Sequence, residues 1–477
     1  MKAPFSAYLD SLRVGLRELI ALLRRDYDYV SVLATDSRGL AVRITQRARS
    51  VGSETMTTER GVVVRVCRDG QYSEYALNAF DPADPAAAAE EIRAAFARQS
   101  AVLRATGTAV YRTPVLDDEP LTLFVEKETH ELPETADVKA LVGELTALSD
   151  RGMSLGADLI DCMLRAESTH VCKMFLTEKR DLRQSYVYSE GSAVAVANRE
   201  GRTQIGYESV SGLGGPELFR ELGEKLEKAV AQAEELLDAE RIEPGEYEII
   251  TSPEVSGLIA HEAFGHGVEM DMFVKNRALG REYVGRRVGS ELVTMHEGAL
   301  CAENVTSYAF DDEGTLAGDV VEIEKGILRT GICDALSALR LGVKPTGNGK
   351  RENFEHKVYT RMTNTIFDSG TDTLEDMIAS VEHGYLLEGM ESGMEDPKHW
   401  GIQCIVKAGR EIRDGRLTGK IVAPIIMTGY VPELLGNISM CSRDREVFGA
   451  GGCGKGYKEW VKVSDGGPYL KTKARLG

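Results

Sequence analysis

Between residues 157 and 210 the chain reads ADLIDCMLRAE, THVCKMFLTE, SYVYSEGSAVAVAN and REGRTQIGYESVS, with no helical period between the segments. Four strand-like segments in a row read as an antiparallel sheet, because parallel neighbours need a long crossover between them. The chain opens in the same way. YVSVLATDSRGLAVRITQ alternates like two strands around 36–39, and RGVVVRVCRDGQYSEYALN repeats the theme with Asp69 and Gly70 as a hairpin turn. Helices flank these strands. Leu9, Leu12, Val14, Leu16, Leu19, Leu22 and Leu23 fall at helical spacing over 7–25. Asp84 and Pro85 cap a helix through AAAAEEIRAAFARQ, and another covers 135–150.

GLGGP precedes a long charged helix over 216–241, which Pro244 and Gly245 end. The expected division is an N-terminal α+β domain over 1–243 and a C-terminal α+β domain over 244–477. Strands in runs, without regular strand–helix alternation, favour an α+β fold of mostly antiparallel and mixed sheets flanked by helices. A formal charge of −18 over 477 residues argues against a nucleic-acid partner. The N-terminus carries Asp10 and Arg13 and has no continuous apolar stretch, so no signal peptide is expected. Apolar runs are too short for a transmembrane helix, and no membrane partner is expected. The eight cysteines are scattered singly without C-x-x-C, which argues against a disulfide framework and for a cytoplasmic setting.

The chemistry concentrates in YEIITSPEVSGLIAHEAFGHGVEMD. His261, Glu262 and His266 form H-E-x-x-x-H, one residue longer than the zinc-protease signature H-E-x-x-H. On a straight α-helix, residues i and i+5 lie about 140° apart, so the two histidines would point to different sides. A π-bulge, or a helix loosened at Gly265, restores a common face. Two histidines leave a catalytic zinc site one ligand short. The third is open among His296, His356, His383 and His399, the carboxylates of Glu269 and Asp271, and a cysteine. Cys453 in GAGGCGKG is the most plausible thiol, because its small glycine neighbours allow close approach to a metal and leave room beside it.

The loop around Cys453 also fits seven of the eight positions of a phosphate-binding loop, G-x-x-x-x-G-K-[ST]. Gly456 stands where the metal-binding hydroxyl belongs, NISMCSRDREV is a poor core strand, and KEWVKVSDGGPYL breaks at a glycine pair, so nucleotide binding is set aside. DDEGT at 311–315 reads as a surface turn rather than a cation loop. TGNGKRE at 346–352 reads as a turn contacting a carboxylate or backbone. RMTNT at 361–365 offers groups that satisfy buried backbone or fix a substrate chain.

HEAFGHGVEMD, DDEGT, TGNGKRE, RMTNT, GGCGKG and GGPYL, in this order, resemble the TldD/PmbA family. Within it they look like the TldD-type subunit, which carries H-E-x-x-x-H. The resemblance implies a two-domain α+β fold and a zinc metallopeptidase acting on unstructured or extended peptides. It further implies a PmbA/TldE-type partner or a homodimer. By the same resemblance Zn2+ is held by His261, His266 and Cys453, and Glu262 takes the proton of the attacking water and passes it to the leaving amine. The substrate is expected to join an exposed sheet edge as an added strand. His296 is a candidate for steadying the oxyanion. EGMESGMEDPKHWGIQC at 388–404 replaces a GGGQVD-like stretch, placing His399, Trp400 and several acids to reshape the cleft or partner surface. The rival reading is a non-catalytic scaffold or peptide-presenting subunit, which predicts no metal-ligand motif.

Overall fold

Alternation along the strands of the first half gives a sheet with two differently covered faces. In the computed structural model, which describes residues 1–455 and 459–477, this sheet has eight strands. Gly456 lies outside the described residues. The strand order is Gln71–Leu77, Glu59–Arg68, Tyr29–Ile44, Leu159–Leu176, Arg180–Arg199 and Leu121–Glu126. Arg49–Gly52 and Arg202–Leu213 pair with Tyr29–Ile44 and Arg180–Arg199. Leu121–Glu126 runs parallel to its neighbour, and the other pairings are antiparallel. On one face Val32, Val64 and Met174 pack under the helices Ala7–Leu23 and Pro85–Thr106. Further along the same face, Val42, Leu164 and Ala195 pack under Val138–Met153 and Leu222–Leu236. The opposite face carries Leu33, Val63 and Phe175, which pack on Phe310 of the second half.

Several sequence expectations change for physical reasons. Residues 29–44 form one strand, with no turn at 36–39. Asp36 stays buried within that strand, accepting from Ser6 Oγ at 2.5 Å and Arg60 Nε at 2.8 Å. The segments at 157–178 likewise merge into Leu159–Leu176, where buried Ser189 donates to Ser168 at 2.9 Å. These strands are long because each one spans both helix pairs. Val14 faces solvent, about 200° around the helix from Leu12. The charged helix is shorter than 216–241: a 3₁₀ turn, Pro216–Glu221, precedes Leu222–Leu236. Its end is drawn off by the second half, where Glu240 N–H donates to Ile421 O at 2.9 Å.

The second half is built on an eleven-stranded mixed sheet. Ser464–Leu476 lies at its centre, parallel to Asn364–Phe367 and antiparallel to Gly245–Thr251, Ile425–Tyr430 and Met440–Phe448. Ile249, Val255, Phe264, Phe367 and Trp400 share one core, so the segment carrying the histidine motif is packed into the largest apolar cluster described. No helix among the described residues is long and apolar enough to cross a membrane.

Buried charge locks the two halves together. DDEGT is an anchor here and not a surface turn. Asp311 accepts backbone N–H groups from Gly349, Glu313 and Thr315 at 2.8–2.9 Å. Lys173 of the first sheet reaches Asp312 at 2.5 Å, and Arg65 pairs with Glu313. Arg351, from TGNGKRE, crosses back to Glu74 at 2.5 Å. Removing Glu313 leaves the buried Arg65 guanidinium with Glu74 as its remaining carboxylate and Ala335 N–H without its acceptor, so Glu313→Ala is expected to lower stability by about 2–4 kcal/mol in urea unfolding. Burial alone would raise the Glu74 carboxyl, but Arg65 and Arg351 outweigh it and hold it at about 2, against an ordinary 4.5. A depressed folded value makes the contribution of Glu74 complete above about pH 4.5, and that contribution is lost as pH falls through the folded value. Glu74→Gln should therefore flatten the loss of stability on acidification below pH 4.5, measured as urea midpoints against pH.

Candidate metal centre

Ser252 starts the motif helix, accepting from Val255 N–H at 3.4 Å, with Pro253 in the first turn. The helix is α over Pro253–Leu258 and then widens to a π-turn over Ile259–Gly265. His266 N–H donates to the carbonyl of His261, five residues back. The extra residue in the turn brings both imidazoles to one side, with ring centroids 5.2 Å apart. The role of Gly265 differs from the expected one. Its φ of −56° and ψ of −51° suit any residue, but a Cβ there would stand 2.2 Å from Met362 Sδ. A side chain at 265 would have to displace the buried thioether of Met362, and the π-turn does not depend on glycine's backbone freedom.

Cys453 arrives on a two-stranded hairpin, Gly452–Lys455 with Glu459–Lys462. Donor atoms of His261, His266 and Cys453 all lie within 4.8 Å of one another, and Cys453 Sγ is 3.3 Å from His266 Nε2. His266 Nδ1–H donates to Glu269 Oε2 at 3.1 Å, which directs Nε2 toward the thiol. His261 has no such support, because its buried Nδ1 has no hydrogen-bond partner. Burial works against the Cys453 thiolate, yet the imidazoles of His266 and His261 outweigh it and hold the thiol well below its ordinary value. Burial would lower His261, but Cys453 beside it takes it up to about 9. These shifts favour a thiolate beside protonated imidazoles, so a cation binding there would compete with protons on the two rings. Two imidazoles and a thiolate form a donor set suited to zinc, with a position left for water.

A second ring of charge supports this group. Glu269 is fully buried and contacts Lys455 Nζ at 3.0 Å, while Lys455 also reaches Asp271 at 2.7 Å. The lysine that suggested a phosphate loop is thus committed to carboxylates. Arg361, from RMTNT, donates to the carbonyl of Cys453 at 2.7 Å. The cluster opens into a cleft of about 990 Å³ shared by the two halves, with Ile205 and Tyr207 on one side and Glu262 and Gly393 on the other. Glu262 lies 4.0 Å from His266 Nε2. The strand His383–Asp396 pairs with Gly245–Thr251 only over 384–387, and beyond that residues 390–395 border the cleft. Gly393 passes so close to Glu262 that a Cβ would stand 2.4 Å from its Cγ. The 388–404 segment is therefore a hairpin that forms one wall of the cleft.

The other candidate ligands lie elsewhere or serve as support. His296 pairs with Asp319 at 2.7 Å and Asp368 at 3.3 Å and is not part of the cleft lining. His356 faces Glu352, His383 packs on Tyr247, and exposed His399 pairs with Asp396. Glu269 and Asp271 hold Lys455 and do not join the donor group. Sequence reasoning did not find the supporting roles of Lys455 and Arg361. Their only signal was their place within motifs that had other readings.

Residues 244–474 match the family described as the PmbA/TldA metallopeptidase C-terminal domain. The chain belongs to the TldD/PmbA family. A protein named metalloprotease from Synechocystis is 28% identical over 473 residues, 98% of each chain. Another of that name from Methanocaldococcus jannaschii is 30% identical over 303 residues, 61% of this chain and 66% of that protein. The fold is shared with TldE from Thermococcus kodakarensis, with a TM-score of 0.76 at 17% identity over 97% of this chain and 100% of that one. In this TldD/PmbA chain, Cys453→Ser should lower the zinc content of the purified protein. Glu269→Gln should weaken zinc binding about 10–100-fold in a chelator competition, as expected when the carboxylate behind a ligating imidazole is lost. Unchanged affinity in either variant would remove that residue from the metal site.

Proposed function

We propose that this chain is a zinc metallopeptidase that hydrolyses extended, unstructured peptides. In this reading His261, His266 and Cys453 hold the metal and Glu262 is the general base. One observation carries it: Glu262 stands beside three converging donor groups, inside a cleft bordered by a partly unpaired strand. Bound zinc supplies Lewis acidity toward the scissile carbonyl and makes water acidic enough to attack near neutral pH. The Glu262 carboxylate accepts a proton from that water and returns it to the leaving nitrogen. Glu269 keeps the His266 ring oriented through its Nδ1–H.

Substrate selection follows from backbone chemistry. A strand whose edge is unpaired along the cleft offers main-chain donors and acceptors to an incoming extended segment. A folded protein cannot present such a segment, whereas an unstructured peptide can. The same reading includes a cytoplasmic location and an assembly with a TldE-type subunit or a second copy of the chain. The test is hydrolysis of an unstructured fluorogenic peptide by the zinc-loaded protein. Glu262→Gln is expected to keep its zinc and lose about 10²–10⁴-fold in kcat. Full turnover in a metal-verified Glu262→Gln protein would overturn the assignment.

A further inference from the structure

Of the cleft carboxyls that the proposed chemistry does not use, Glu395 is the one whose two oxygens are both buried without a partner among the described residues. Glu395 lies two residues beyond Gly393 on the strand that borders the cleft, about 7 Å further along and on the same face. Both of its carboxyl oxygens are buried, and neither has a hydrogen-bond partner among the described residues. The indole Nε1 of Trp400 beside it is also buried without an acceptor. Between them stands Gly267, where a Cβ would be 2.7 Å from Glu395 Oε1 and 3.3 Å from Trp400 Nε1. Any other residue at 267 would fill the space in front of the carboxyl. The arrangement is a small notch with one acid at its back.

Burial, with Glu262 adding to it, raises the Glu395 carboxyl well above its ordinary value, and a positive charge placed against it favours the ionised form. Among the described residues, the two lysines that line the cleft are engaged elsewhere. Lys455 pairs with Glu269 and Asp271, and Lys407 lies over the Tyr207 ring at 4.4 Å. Against these two lysines the cleft lining sets Glu254, Glu262, Glu269, Glu391, Glu395 and Asp465. Such an excess of one sign raises the local concentration of cationic ligands.

We propose that Glu395 is a specificity residue whose carboxylate receives a positive charge on the peptide, either its free amino terminus or a Lys or Arg side chain, about two residues from the bond beside Glu262. This inference rests on the peptidase reading. It gives the 388–404 hairpin a role in choosing substrates by charge, in addition to the backbone selection made by the strand edge.

The test uses four peptides of one unstructured sequence: amino terminus free or acetylated, and lysines present or replaced by glutamine. With the zinc-loaded chain, KM should be lowest for the peptide carrying the recognised cation. Glu395→Gln should raise that KM about tenfold, as expected for loss of a charge-assisted contact, with kcat little changed. It should leave the acetylated, lysine-free peptide unaffected, and Glu395→Asp should retain part of the preference. Acetylation and lysine replacement distinguish the two sources of charge. Equal losses on all four peptides, or no charge preference in the unsubstituted chain, would overturn the proposal. Fluorescence anisotropy with the same peptides separates it from the peptidase reading. Charge-dependent binding that disappears in Glu395→Gln supports the notch even where no bond is cut, and charge-independent binding refutes it.

Discussion

The hydrogen bond from His266 N–H to the carbonyl of His261 determines where everything around the cleft must sit. An ordinary α-helical turn would separate these two rings by about 140°, and no single loop could then meet both. With five residues in the turn, the rings face one point, and a hairpin from the far end of the chain can bring Cys453 to it. The π-turn is held by packing on the sides that face away from the cleft. Met362 fills the space that a side chain at 265 would occupy, and Phe264 and Ala260 lie in the main core of the second half.

Charge organises the next layer outward. The donor group is backed by Glu269, Glu269 by Lys455, and Lys455 by Asp271, so each charge in this chain of contacts has a partner of opposite sign. The same rule holds between the halves, where Arg65, Lys173 and Arg351 meet Glu313, Asp312 and Glu74. Acidic motifs that look solvent-facing in the sequence are therefore interior. DDEGT was read as a surface turn because composition records the charge of Asp312 and Glu313 but not their partners, which lie more than a hundred residues away.

Local patterns were legible wherever a short-range cause sets the structure. The caps at Ser252 and Asp84 and the Asp69-Gly70 turn follow from neighbours a few residues apart, while the helical widening was legible only as the condition for the two histidines to share a face. The α+β class followed from strands in runs. Strand length did not: 36–39 has turn-like residues, yet Asp36 is paired by Ser6 and Arg60 from other elements, and the strand runs straight through. The same limit applies in the cleft. Nothing near Glu395 in the sequence reveals that Gly267 and Trp400 stand beside it, because that neighbourhood exists only once the hairpin folds against the motif helix.

The loop that carries the thiol is tied to both halves of the molecule. Gly449 N–H donates to Ser211 Oγ of the first sheet at 2.8 Å, and Lys462, at the hairpin's other end, pairs with Glu190 of the same sheet. Both histidines, by contrast, belong wholly to the second half. The distance between thiol and imidazoles is thus partly a measure of how the two halves are docked. Under the proposed metal assignment, affinity and docking would be linked quantities: a cation that draws the three donors together would also favour the docked arrangement, and whatever loosens the docking would weaken its hold by the same free energy.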